Sequence, residues 1–127
     1  MKMKPHFIIY LIAALVLNCC SIENVKRSSA INADYEKSIN EQFQIDLPSN
    51  PTTGYSWKWT NKRSVTILDS IGYQYIPDNP TITGKGGKEI WKFKGKEPGI
   101  DTIKFEYCRP WDSKSIARSK IIIIKIK

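Results

Sequence analysis

Three short stretches carry more special residues than a turn requires: Asn50-Pro51-Thr52-Thr53-Gly54-Tyr55, Gly84-Lys85-Gly86-Gly87 and Arg109-Pro110-Trp111. In the first, Pro51 presets φ at the second position of a turn and Asn50 can cap that turn through its side chain. Gly54 permits a positive φ before the chain re-enters a strand at Tyr55. Thr52 and Thr53 are left at the tip between stiff neighbours. In the second, three glycines allow close backbone approach, but the Lys-Ser/Thr and following helix of a phosphate-binding loop are missing. The third places a cation and a large aromatic in a solvated connection, for which folding alone supplies little reason. Each has a plain alternative: a stiff turn, a flexible hairpin, or Trp111 folded back onto the domain with Arg109 paired to Asp112.

Covalent and metal chemistry find few candidates. Cys19 and Cys20 lie near the start of the chain, so Cys108 is the one cysteine beyond them, and the single histidine is His6. A cysteine or serine nucleophile needs a base beside it, and His6 falls within a leader-like segment. Zinc would need a His or a Cys pair in the domain. Cys108 is therefore read as a buried small hydrophobe, with a reactive thiol as the alternative. No catalytic residue, metal or cofactor is expected.

The elements that must hold these loops read as strands. Phe43, Ile45 and Leu47 alternate with Gln42, Gln44 and Asp46, and Tyr55, Trp57 and Trp59 with Ser56 and Lys58. Trp91 and Phe93 alternate with Lys92 and Lys94, and Ile103, Phe105 and Tyr107 with Lys104 and Glu106. No helical period is sustained. Strands are expected near 40–47, 55–60, 65–76 (broken near Gly72), 88–95, 100–108 and 116–127, with an early strand near 30–37 as a further candidate. Pro98-Gly99 suggests a hairpin between two of them. "KIIIIKIK" carries isoleucine on both faces, as a strand covered on both sides or set at a sheet centre would. The pattern predicts an all-β sandwich or barrel. In a Greek-key sandwich alternate connections emerge at the same end, which would bring the loops at 48–54, 77–87 and 109–115 side by side.

The ordered trio of loop motifs resembles that of the chagasin family of cysteine-protease inhibitors, and the resemblance covers about residues 38 to 127. It implies an immunoglobulin-like β-sandwich with three functional loops at one end, which inhibits papain-like cysteine peptidases reversibly and without covalent chemistry. Residues Asn50 to Tyr55 would enter the enzyme's cleft, with Thr52 and Thr53 nearest the catalytic cysteine. Gly84, Lys85, Gly86 and Gly87 would lie along one rim, and Arg109, Pro110 and Trp111 along the other. The competing reading from the residues is an exported immunoglobulin-like adhesion or glycan-binding module, with Trp111 and Tyr55 stacking on sugars.

The remaining features concern location and charge. Lys2 and Lys4 precede the apolar run Phe7 to Leu17, which is shorter than a membrane span and has the flanks of a secretory signal. Leu17-Asn18-Cys19 resembles a bacterial lipobox in which Cys19 would be lipidated, although Asn18 departs from the usual small residue. The expected organisation is a signal peptide at 1–20, a flexible tether at 21–38 and an inhibitor domain at 39–127. The protein is then exported, as a cell-envelope lipoprotein or a secreted or periplasmic form. Membrane contact would come only through the lipid, and a monomer is expected. The whole chain is +8, and without Lys2 and Lys4 it is +6. Its lysines are scattered as on a solvated sheet face, or as a diffuse field for an acidic partner. A nucleic-acid reader would use Trp57, Trp59, Trp91 and Phe93 among lysines. Those aromatics share faces with no lysine, and export argues against that role.

Overall fold

The computed structural model describes residues 30–127, and residues 31–127 form one compact unit. The leader, the lipobox Cys19 and most of the segment read as a tether lie outside the described residues. Seven strands follow in order: β1 (Tyr35–Lys37), β2 (Gln42–Ser49), β3 (Ser56–Trp59), β4 (Leu68–Pro77), β5 (Gly87–Gly95), β6 (Gly99–Cys108) and β7 (Arg118–Ile126). They form two sheets, ordered β1-β7-β6-β3 and β2-β5-β4. All pairings are antiparallel except that of β1 with β7.

Side-chain parity explains the sandwich. In β2, Phe43, Ile45, Leu47 and Ser49 are buried while the alternate residues face water. The core joins Phe43, Ile45 and Leu47 to Trp57 and Trp59 of β3, Phe93 of β5, Ile103, Phe105 and Tyr107 of β6, and Ile122, Ile124 and Ile126 of β7. Aromatic rings link the two sheets. Trp59 meets Phe93 edge-on with centroids 5.3 Å apart, and Trp91 meets Phe105 at 5.1 Å. Such contacts add about 0.5–1.5 kcal/mol each beyond the apolar area they bury. Pro48 and Pro77 both lie on outer strands of the three-stranded sheet, where a missing N–H costs no ladder bond.

The structure corrects the sequence reading at two places. Asp34 to Ser38, within the span read as tether, belong to the domain, and the early strand offered near 30–37 is present there: the Asp34 and Ile123 backbones join at 2.8 Å, and Tyr35, Glu36 and Lys37 pair with Ile124, Lys125 and Ile126. Tyr35 also packs on Phe43, with ring centroids 5.6 Å apart, which makes the short strand worth ordering. The second correction concerns Pro98-Gly99, which closes no hairpin, because β5 and β6 lie in opposite sheets. The link crosses the edge of the sandwich, held there by the Lys96 and Glu97 N–H groups, which both donate to the Ile67 carbonyl. Of the two alternatives for the isoleucine run, the position inside the sheet is the one found: β7 sits between β1 and β6, with one face covered and Ile121 63% exposed. The expected break near Gly72 is a bulge between Ser70 and Gly72.

Candidate functional site

The three singled-out stretches meet at one end of the sandwich. The loop between β2 and β3 is built around Asn50. Pro51–Thr53 form one 3-10 turn, with the Asn50 Oδ1 accepting from the Thr52 N–H at 3.3 Å and the Thr52 hydroxyl at 2.5 Å. The Asn50 carbonyl accepts from the Thr53 N–H at 3.1 Å and the Thr53 hydroxyl at 2.6 Å. Gly54 closes the turn at φ +82, a conformation that strains residues with a Cβ. Both threonine hydroxyls therefore donate inward, and the tip presents a fixed shape to solvent.

The stems of this loop are anchored from both sheets. Tyr107 of β6 accepts the Asn50 N–H on its hydroxyl at 2.8 Å, and the Trp57 indole N–H donates to the Pro48 carbonyl at 2.8 Å. Glu89 of β5, fully buried, accepts from the Ser49 hydroxyl at 2.7 Å and from the Trp57 backbone N–H at 3.2 and 3.3 Å. Tyr73 on neighbouring β4 faces the same carboxylate. Burial first, and then the Glu89 charge and contact, push its phenol up to about 12.

The β4–β5 loop folds on Asn79, whose Oδ1 accepts from the Thr81 N–H at 3.0 Å and hydroxyl at 2.7 Å. Its glycines serve different purposes. Gly84, at φ +83, has open space where a Cβ would stand, and with Lys85 it forms the exposed tip. Gly86 and Gly87 instead let the chain approach its own backbone. A Cβ on Gly86 would lie 3.1 Å from the Ser49 oxygen, and one on Gly87 would lie 2.1 Å from the Ile76 oxygen. Close approach is therefore real at both, but it is internal. The Asn50 Nδ2 donates to the Gly84 carbonyl at 3.0 Å and so ties this loop to the first.

The β6–β7 loop is braced by Ser115 and Asp112. The Ser115 hydroxyl accepts the Arg109 N–H at 2.8 Å and donates to the Asp112 carbonyl at 2.6 Å. Arg109 and Asp112 are bridged through their backbones. The Arg109 guanidinium lies over Tyr55 at 4.8 Å from the ring centroid. Tyr55 stacks on Tyr107 at 5.4 Å, and Arg118 covers Tyr107 at 4.9 Å. Trp111 does not fold into the core. It is 74% exposed, and its ring edge passes over Gly54, where a Cβ would stand 2.7 Å from its Cη2. Pro110 is likewise exposed.

All thirteen residues singled out from the sequence thus fall in one contiguous end region, in which the second and third loops each touch the first. The sequence reading missed Tyr107, Glu89, Ser49 and Ser115, and it named Asp112 only as a partner for Arg109. A signal for Glu89 was present, because it shares the inward parity of Trp91 and Phe93. Cys108 is buried and unpaired, and the described residues contain no cluster of three or more His, Cys, Asp or Glu side chains suited to a metal.

An immunoglobulin-like sandwich presenting three interlocked loops at one end defines a protein-binding module rather than a catalyst. Residues 37–126 match the chagasin family peptidase inhibitor I42, and the chain belongs to that family. It is an inhibitor and not an enzyme. It is 31% identical over 80 residues to chagasin of Trypanosoma cruzi, an alignment spanning 61% of this chain and 73% of chagasin. It is 37% identical over 78 residues to amoebiasin-1 of Entamoeba histolytica, spanning 56% and 68% respectively. Among solved structures, the cysteine protease inhibitor EhICP2 from Entamoeba histolytica superposes with a TM-score of 0.55 at 25% identity. That superposition covers 74% of this chain and 88% of EhICP2.

Proposed function

We propose that the protein is a reversible, non-covalent inhibitor of papain-like cysteine peptidases, which occludes the active-site cleft with its three loops. The observation that carries this is the mutual bracing of the loops: Asn50 bonds to Gly84, Trp111 rests on Gly54, and Arg109 covers Tyr55. Family membership and the resemblance to EhICP2 support the peptidase class.

The mechanism follows from the geometry. The turn at 50–54 acts as a wedge whose threonine hydroxyls bond back to Asn50 and hold a compact 3-10 turn, so it offers no extended stretch for the enzyme to cleave. Lys85 and Trp111 reach the rims on either side. Because the loops are ordered before contact, docking loses little conformational entropy. Papain titrated with the purified protein should lose activity near equimolar inhibitor and recover on dilution, while a serine protease is unaffected. Full papain activity in the presence of demonstrably folded protein would overturn the reading.

We also propose, from Lys2, Lys4, the apolar run Phe7 to Leu17 and the lipobox-like Leu17-Asn18-Cys19, that the protein is exported and anchored through a lipid on Cys19. Labelled palmitate should enter the wild type and not Cys19→Ala. Equal labelling of the two would remove the anchor from the proposal.

A further inference from the structure

The one buried charged residue among the described residues is not in a loop. Glu89 is fully buried, and no cation pairs with it among the described residues. Its neighbour Lys88 points to the other face and pairs with Asp46 at 2.8 Å. Sequestering a carboxylate from water without a counter-charge is expensive, and the next inward positions on β5 are the aromatic Trp91 and Phe93. A fold that needed only packing would be served by an apolar residue here.

What the carboxylate holds explains why it is there. Ser49 is the last residue before Asn50, and Trp57 is the second residue after Tyr55. Their bonds to Glu89 clamp the two stems of the 50–54 turn to one rigid group. Hydrogen bonds to an ionised acceptor are shorter, stronger and more directional than neutral ones. The hydroxyl of Tyr107 fixes Asn50 from the opposite sheet, so the wedge is held from both sides. Glu89 is also the third residue of the strand that leaves the β4–β5 loop, and one side chain thereby relates two of the three loops.

We infer that Glu89 is a positioning residue for inhibition, setting the height and angle of the wedge through Ser49 and Trp57. This rests on the reading that the 50–54 turn enters a peptidase cleft. In Glu89→Gln the side chain keeps its size but exchanges one acceptor oxygen for an NH2 group. The amide oxygen can still take the Oε1 place that serves both Ser49 and Trp57, but the NH2 group in the Oε2 place meets the Trp57 N–H donor to donor, and the wedge loses its fixed spacing. Ser49→Ala releases one stem and leaves the carboxylate in place.

The decisive experiment is tight-binding titration of papain, because its end point and its inhibition constant report different things. The end point counts competent molecules; the constant measures how well each one binds. A residue that only maintains the fold lowers the competent fraction and leaves the constant alone. For Glu89→Gln the inhibition constant should rise about tenfold to a hundredfold with the end point preserved. Ser49→Ala should show a smaller rise in the same direction, and it decides the matter if Glu89→Gln fails to fold. Asp46→Asn, which breaks the ion pair on the outer face, should match the wild type. Wild-type constants in the folded variants, or a shifted end point alone, would overturn the inference. A wild-type protein that leaves papain untouched would instead remove the inhibitor reading on which it rests.

Discussion

Replacing Trp111 with alanine should weaken papain inhibition by about thirtyfold or more while leaving thermal stability almost unchanged. The two effects separate because of how the side chain is mounted. Trp111 is 74% exposed, so truncation removes little buried area from the folded state. Its loop is held by Ser115, Asp112 and backbone bonds that do not involve the indole. Surface changes of this kind usually stay within about 0.5 kcal/mol. At an interface the same ring becomes a large desolvated anchor, where truncation costs about 2 kcal/mol or more, equivalent to the thirtyfold loss. Truncation also frees the space above Gly54, loosening the contact between the first and third loops. Calorimetry beside the papain titration checks both halves. An unchanged inhibition constant, or an equal fall in stability, would show that Trp111 is not the rim anchor.

Gly87→Ala should be the most destabilising of the loop-glycine substitutions, by about 3 kcal/mol, at the upper end of what overpacking costs. Gly87 opens the central strand of its sheet and pairs with both Ser49 and Pro77. A Cβ there would lie 2.1 Å from the Ile76 oxygen and 2.7 Å from the Pro77 Cα. Those are backbone atoms and cannot rotate aside, so β4 would have to separate from β5. Gly84→Ala makes the contrast. Its Cβ meets nothing, and the cost is confined to the positive φ, about 1 kcal/mol. Urea unfolding of the two variants should rank them in that order. Equal losses would mean that backbone conformation, and not crowding, sets the glycine requirement of this loop.

Much of this architecture can be read from residue order alone, and the reasons are local. Alternation in Phe43-x-Ile45-x-Leu47 fixes which side of β2 is buried whatever lies opposite. Asn50, Pro51 and Gly54 each have a strong conformational preference, so their turn is legible before any partner is known. What stayed hidden depends on distant chain. Whether the stretch after Gly95 turns back or crosses to the other sheet is settled by the Ile67 carbonyl, which receives the Lys96 and Glu97 N–H groups. The strand at Tyr35–Lys37 falls within the early candidate near 30–37, but its parallel pairing with β7, on which it depends, is not written in its own residues. Glu89 was visible as a charge on an inward position. Its purpose appears only when Ser49 and Trp57 converge on it.

The position of β7 has a consequence for how the molecule is made. It is the last of the seven strands to be synthesised, yet it is hydrogen-bonded to β1, the first, and to β6. Until residues 118–126 are available, the four-stranded sheet lacks its middle and the Phe93–Phe105 core is open on one side. Ribosomes add roughly 5–20 residues per second, so the chain spends seconds without a stable fold to enter. Pairing across nearly the whole domain is slow in any case, because loop closure must precede the contacts that reward it. For a chain exported as proposed from its leader, that delay is useful: the polypeptide stays loose enough to thread through a translocation channel, and the inhibitory end takes shape only when the last strand has followed.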